Sequence, residues 1–270
     1  MRIYGRITIY GEYLMHGTIS GLIIPSNLFL DTVNCGNINS LYSKKKDNIL
    51  PIIEKMGIKP CHTLYGNLPL GYGMAGSTAL SLLHLSNIKD LELKKRIVHE
   101  IDKEIHGFIP SGIDFESCIR QEYGLYSTAS GWQTIDPLPI SYSLFKFPKE
   151  KKMSLNEVKK KILSEKDLLI PIQNELNSII RTKGTINFSL LKKYSKILLS
   201  IGVYSNKASV FISTLLRQGI IAKGIGGVYD KIVLVIHPEE NTNHHELQRL
   251  VSELSGEIIS TVHSTHIGNL

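Results

Sequence analysis

The sequence predicts an α+β fold. Helix-spaced and strand-spaced apolar segments both recur along its 270 residues, and a glycine-rich loop joins a strand-like segment to a helix. These segments lack the strict strand–helix–strand alternation of a parallel sheet. With 42% hydrophobic and 20% charged residues, the chain can bury a full core, as one large domain or two modest ones.

Residues 3–10 alternate and are rich in β-branched and aromatic side chains, which predicts a first strand, and a second apolar segment runs over 22–30. Ile49, Ile52, Ile53 and Met56 fall at helical spacing, so 46–56 reads as a helix, and 61–65 reads as a strand entering the glycine-rich loop. Behind that loop, Ala79 to Leu83 opens another helix. Asp90 is the expected cap of the next, with Leu93, Ile97, Ile101 and Ile105 as its apolar stripe, Val98 alongside and Gly107 as its stop. A loop over 108–114 and a short segment ending at Tyr126 follow. The three prolines and the lysine-rich end of 136–152 mark a boundary between two halves, 1–145 and 146–270. Helices are expected near 154–164, 170–181, 189–201 and 207–218. A second glycine-rich loop at 221–227, a β-branched strand over 231–237, a helix around 244–254 and a strand over 257–262 complete the order.

The stretch from Leu68 to Leu80 carries the strongest chemical signal. Gly71, Gly73, Ala75 and Gly76 leave the backbone free to bend around an anion, and the following helix directs its unpaired amides and positive dipole end at the same point. The expected ligand bears a phosphate. The formal charge of +7 and pI near 9.1 would suit a nucleic-acid binder. However, much of the excess sits in lysine runs at 44–46, 149–152 and 159–161 without interleaved aromatics, and solvated faces account for these. The positive field still favours an anionic nucleotide. Cys35, Cys61 and Cys118 are odd in number and widely spaced, so neither a disulfide framework nor a zinc site is indicated. No apolar run reaches the roughly 18–20 residues that cross a bilayer, and the first residues lack a secretion signal's apolar core. A cytoplasmic protein is expected.

Three spaced motifs combine into something more specific. Gly5-Arg-Ile-Thr-Ile-Tyr-Gly11-Glu12-Tyr-Leu-Met-His16-Gly17, Pro69-Leu-Gly-Tyr-Gly-Met-Ala-Gly-Ser-Thr-Ala79 and His106-Gly-Phe-Ile-Pro-Ser-Gly-Ile-Asp114 occur in that order. With them the chain resembles the GHMP kinase superfamily, and most of all its mevalonate kinase branch. It departs from the family in one extra position or an altered first serine of the second motif, one extra residue before Pro110, and a C-terminal loop reduced to Lys223-Gly-Ile-Gly-Gly-Val-Tyr229.

The resemblance implies a GHMP kinase fold, with an N-terminal half like a ribosomal S5 domain, a ferredoxin-like C-terminal half and the active site between them. It implies ATP and Mg²⁺ as cofactors. Asp114 matches the base that takes the proton of the substrate hydroxyl, and Arg6 stands where the family carries a lysine. Arginine keeps the charge but cannot shuttle a proton. Gly71, Gly73, Ala75, Gly76, Ser77 and Thr78 match the nucleotide loop, and Gly224, Gly226 and Gly227 the C-terminal one. Ser77 matches a magnesium ligand, with Asp102 or Glu104 as the accompanying acid. Glu12, His16 and Ser111 fall where the substrate pocket is shaped.

The expectation is a small-molecule kinase moving the γ-phosphoryl group of ATP to an alcohol, with mevalonate the leading acceptor. L-threonine and a specialised-metabolite hydroxyl remain open, as does a catalytically silent metabolite-binding protein of the same fold. The expected partners are the alcohol and ATP, with no nucleic acid and no membrane, and a homodimer is compatible with such a chain.

Overall fold

The computed structural model describes residues 1–32, 49–59, 64–107, 109–148, 153–226, 232–237 and 244–263. The chain divides into two compact units, Met1–Ile7 with Ile24–Glu122 and Thr8–Ile23 with Tyr123–Leu270. Strands β1 (Arg2–Tyr10) and β2 (Gly21–Thr32) each contribute residues to both.

In the first unit the end of β2 pairs antiparallel with β3 (Leu64–Gly66), Leu30 opposite Gly66. A short helix α1 (Leu50–Lys55) starts with a proline in its first turn, where the missing N–H costs nothing. Helix α2 (Gly76–His84) is almost wholly buried and packs against α3 (Leu91–His106) and α4 (Ile113–Arg120). Asp90 caps α3 as expected, accepting from the amides of Glu92 and Leu93 at 3.0 and 3.1 Å, and Gly107 closes it in a left-handed conformation. The buried stripe of α3 differs from the expected one. It runs through Val98, Ile101 and Asp102, while Leu93 is exposed. An acid has been turned inward on a helix whose apolar residues would have filled the same face, and this places a carboxylate beside α2.

In the second unit the start of β2 pairs with β4 (Gly124–Ser127), which pairs with β5 (Gly131–Thr134). The sheet order is β1-β2-β4-β5, with β3 on β2. A second, antiparallel sheet has the order β7 (Ile221–Gly224), β8 (Ile232–His237), β6 (Ser141–Lys146), β9 (Glu257–Val262). Helices α5 (Leu155–Ser164), α6 (Lys166–Lys183), α7 (Phe188–Ser200), α8 (Asn206–Arg217) and α9 (His244–Glu253) accompany it. Helices α7 and α8 pack on β7. Every residue of β8 is buried, and Phe211 of α8 meets Phe145 and Phe147 at ring-centroid distances of 5.2 and 5.1 Å. Ser154 and Glu157 form a reciprocal capping box that fixes the start of α5.

The structure corrects the sequence reading at several elements. Within the stretch 136–152 the sequence reading assigned no strand, but 141–146, which contains no proline, forms β6 between prolines at 137, 139 and 148. The loop expected over 108–114 ends at Gly112, and Asp114 lies in the first turn of α4. The start of the glycine-rich loop expected at 221–227 is strand β7, paired with β8 from Ile221 to Gly224. Cys118 is a buried free thiol, whereas Cys35, Cys61 and the lysine runs at 44–46 and 149–152 lie outside the described residues. Among the described residues no helix is long and apolar enough to cross a membrane.

Candidate active site

Strand β1 and the glycine-rich loop run backbone to backbone, the Arg6 amide donating to the Met74 carbonyl at 3.2 Å. Gly5 makes that approach possible: a Cβ there would stand 2.3 Å from Leu68 Cδ1, 3.0 Å from Ser26 Oγ and 3.1 Å from the Met74 carbonyl oxygen. We expect Gly5→Ala to push the loop off the strand and cost about 1–3 kcal/mol. That would read as a lower urea midpoint at unchanged m-value.

The loop turns into α2 at Ala75, an alanine held in the left-handed region at φ 61 with no side chain capping the helix. Local strain of this kind is kept where the surroundings impose it. The first-turn amides of α2 are therefore directed into the loop, as an anion site requires. Gly71 and Gly73 are exposed along the loop, and Gly76 is buried as the first residue of the helix.

Two hydroxyls follow. Thr78 is fully buried and its Oγ1 donates to Asp102 Oδ2 at 2.9 Å, while Ser77 Oγ lies 3.5 Å from His106 Nε2. Asp102 is 4% exposed, and its second oxygen, Oδ1, is buried with no hydrogen-bond partner. Burial, reinforced by the nearby Asp114 charge, pushes its carboxyl up to about 6 against the opposing hydrogen bond from Thr78. Of the two acids the motif left open, Asp102 faces α2 and Glu104 is exposed.

Asp114 and Arg6, 108 residues apart in sequence, form an ion pair through Arg6 Nε and Asp114 Oδ1. Gly112, at φ 81, permits the turn that starts α4, and the Ser111 hydroxyl accepts the Ile113 amide at 3.4 Å. The far side of α4 is held by Glu116, which accepts from Lys95 of α3 at 2.8 Å and from Arg120 at 3.2 Å. The Asp114 backbone is thus braced, while its side chain remains 31% exposed.

The remaining candidates lie in the second unit. Glu12 is buried in the turn after β1, and His16 ends the short 3₁₀ turn Leu14–His16 and is exposed. Gly224 closes β7 and Gly226 follows it, whereas Gly227 lies outside the described residues. One participant had no role in the sequence reading: Lys223 of β7 is wholly buried and ion-paired with Glu12. Its signal was a lone cation inside an apolar strand, matched by a lone acid in the turn after β1.

No family model and no curated protein matches the sequence. Solved structures do match along nearly the whole chain. The L. major mevalonate kinase in complex with R-mevalonate superposes with TM-score 0.69 at 13% identity, over 93% of this chain and 90% of that one. The Methanococcus jannaschii mevalonate kinase gives 0.69 at 14%, over 96% of each. The Streptococcus pneumoniae phosphomevalonate kinase in complex with phosphomevalonate and AMPPNP gives 0.67 at 12%, over 97% and 99%. The chain therefore shares the α+β fold of these mevalonate kinase and phosphomevalonate kinase structures, the fold expected from its motifs.

Proposed function

We propose that this chain is an ATP-dependent phosphotransferase acting on the hydroxyl of a small alcohol. The observation that carries the reading is the Arg6–Asp114 pair set beside a glycine-rich loop whose carbonyl at Met74 binds the Arg6 backbone. Phosphoryl transfer demands positioning and charge compensation more than strong covalent chemistry, and these groups supply both. Amides from Gly71 to Thr78 hold the triphosphate. Arg6 balances charge on the transferring group, and Asp114 orients the acceptor hydroxyl and takes its proton. Gly224 and Gly226 are assigned to the nucleotide, and Glu12, His16 and Ser111 to the acceptor, on the strength of their motifs.

Mg²⁺ fits the residues present. Asp102 offers a buried carboxylate oxygen without a partner, and Ser77 a hydroxyl at the start of α2. Hard oxygen donors in such small number suit an ion that keeps several waters and shares phosphate oxygens. Ser77 and Asp102 would hold it, and when bound it would neutralise charge on the phosphates.

The acceptor proposed first is mevalonate, with L-threonine next. An ADP-release assay with ATP–Mg²⁺ across both compounds and a wider set of alcohols tests the reading: turnover on at least one alcohol is expected. Magnesium-dependent nucleotide binding with no ATP consumed on any alcohol would replace it with a silent metabolite-binding protein.

A further inference from the structure

Helix α3 meets the first turn of α2 through two side chains one helical turn apart. Asp102 and His106 stand at i and i+4 and so share a face of α3, where they reach the consecutive residues Thr78 and Ser77. All four belong to the first compact unit. The inner contact is sealed: Thr78 is fully buried and its hydroxyl donates to Asp102 Oδ2 at 2.9 Å. The outer contact faces solvent. Ser77 is half-buried, His106 is exposed, and Ser77 Oγ lies 3.5 Å from His106 Nε2.

His106 opens the third motif, yet it carries no task in the phosphoryl transfer described above. Its backbone is well held. It is the last residue of α3, and Gly107 beyond it turns left-handed at φ 71 and donates its amide to the Lys103 carbonyl at 2.8 Å.

A serine hydroxyl has one proton and two lone pairs. A serine oxygen that gives a lone pair to a cation must turn its proton away from that cation, towards an acceptor. Asp102 Oδ2 already accepts from Thr78, and Oδ1 is the oxygen assigned to the ion. Ser77 also helps to stabilise the charge of Asp102, a task it gives up once that carboxylate serves the ion. His106 Nε2 is an acceptor within reach of the same hydroxyl.

We propose that His106 is a positioning residue for Ser77, its Nε2 accepting the hydroxyl proton so that the Ser77 oxygen presents its lone pairs to the magnesium ion of a bound nucleotide. The inference rests on the kinase reading in taking that ion and nucleotide as the ligands. Groups that orient a metal ligand in this way are worth about ten- to a hundredfold in affinity for the metal.

The test measures binding of AMPPNP by calorimetry, with Mg²⁺ and with a chelator, in the native protein and in His106→Leu, His106→Gln, Ser77→Ala and the Ser77→Ala/His106→Leu double variant. In His106→Leu the affinity supported by Mg²⁺ falls about tenfold, while the affinity in chelator and the urea midpoint stay native. His106→Gln, whose amide oxygen accepts a hydrogen bond, recovers most of the loss. On the Ser77→Ala background His106→Leu adds nothing, because the hydroxyl it orients is gone. Native Mg²⁺-supported affinity in His106→Leu would overturn the proposal, as would a glutamine variant no better than the leucine one. An equal loss in chelator, or an undiminished loss on the Ser77→Ala background, would also overturn it and place the ring on the nucleotide itself. A native protein that binds no AMPPNP with Mg²⁺ overturns the kinase reading and this inference together, and is told apart by appearing before any substitution.

Discussion

Asp114→Asn is expected to lose about 10²- to 10⁴-fold in kcat, the usual contribution of a positioned general base, with little change in the KM for ATP. The substitution keeps the shape of the side chain and an oxygen to accept from Arg6 Nε, so the turn that opens α4 keeps its local contacts. Glu116, bound to Lys95 and Arg120, holds the same helix independently. The ion pair is part-buried, Arg6 being 12% and Asp114 31% exposed, so losing its charge costs about 1–3 kcal/mol of stability. An enzyme that folds like the native one yet hardly turns over is therefore the expected result. Near-native turnover in an ADP-release assay would remove Asp114 from the role of base. Arg6→Lys sharpens the interpretation. It keeps the positive charge but gives up the planar fork, so it should retain far more activity than Asp114→Asn if the task of Arg6 is charge compensation.

The legible part of this site was the part written in local backbone chemistry. Asp90 and Gly107 delimit α3 because a cap and a left-handed stop need particular residue types, and the structure shows both. The glycine-rich loop was legible for the same reason. What lay beyond the sequence depended on tertiary choice. The stripe Leu93, Ile97, Ile101, Ile105 is a correct helical pattern, but which face of α3 is buried depends on its packing against α2, and that packing takes Asp102 inward and leaves Leu93 out. Strand β6 was hidden because prolines on both sides of 141–146 resemble those of a linker. Lys223 lies inside a run of small residues, Lys223-Gly-Ile-Gly-Gly, whose glycines carry the local signal. That a lysine on β7 would be sealed against an acid 211 positions away is set by the sheet, not by any local pattern.

Asp102 gives the second large effect, which appears in stability before it appears in catalysis. Its carboxyl is raised from the ordinary 3.8 to about 6, chiefly by burial and then by the charge of Asp114. In the metal-free protein the folded state therefore holds a proton that the unfolded chain has already released between about pH 4 and pH 6. The stabilising contribution of this group is full below the unfolded value and is lost as pH rises through the folded one. A rise of that size is worth about 3 kcal/mol as an upper bound. Asp102→Asn removes the titration while its side-chain oxygen can still accept from Thr78. The variant should match the native protein near pH 4 and exceed its stability by up to that amount at pH 7.5, measured by urea unfolding in the presence of a chelator. Adding Mg²⁺ with a non-hydrolysable ATP analogue at pH 7.5 should then raise the native midpoint more than that of Asp102→Asn, because the loop amides still bind the nucleotide while the ion loses the ionised oxygen that the amide lacks. A native protein as stable at pH 7.5 as its Asp102→Asn variant without metal would mean that the carboxyl is not strained by burial. Equal stabilisation of both by the metal–nucleotide would mean that Asp102 does not hold the ion.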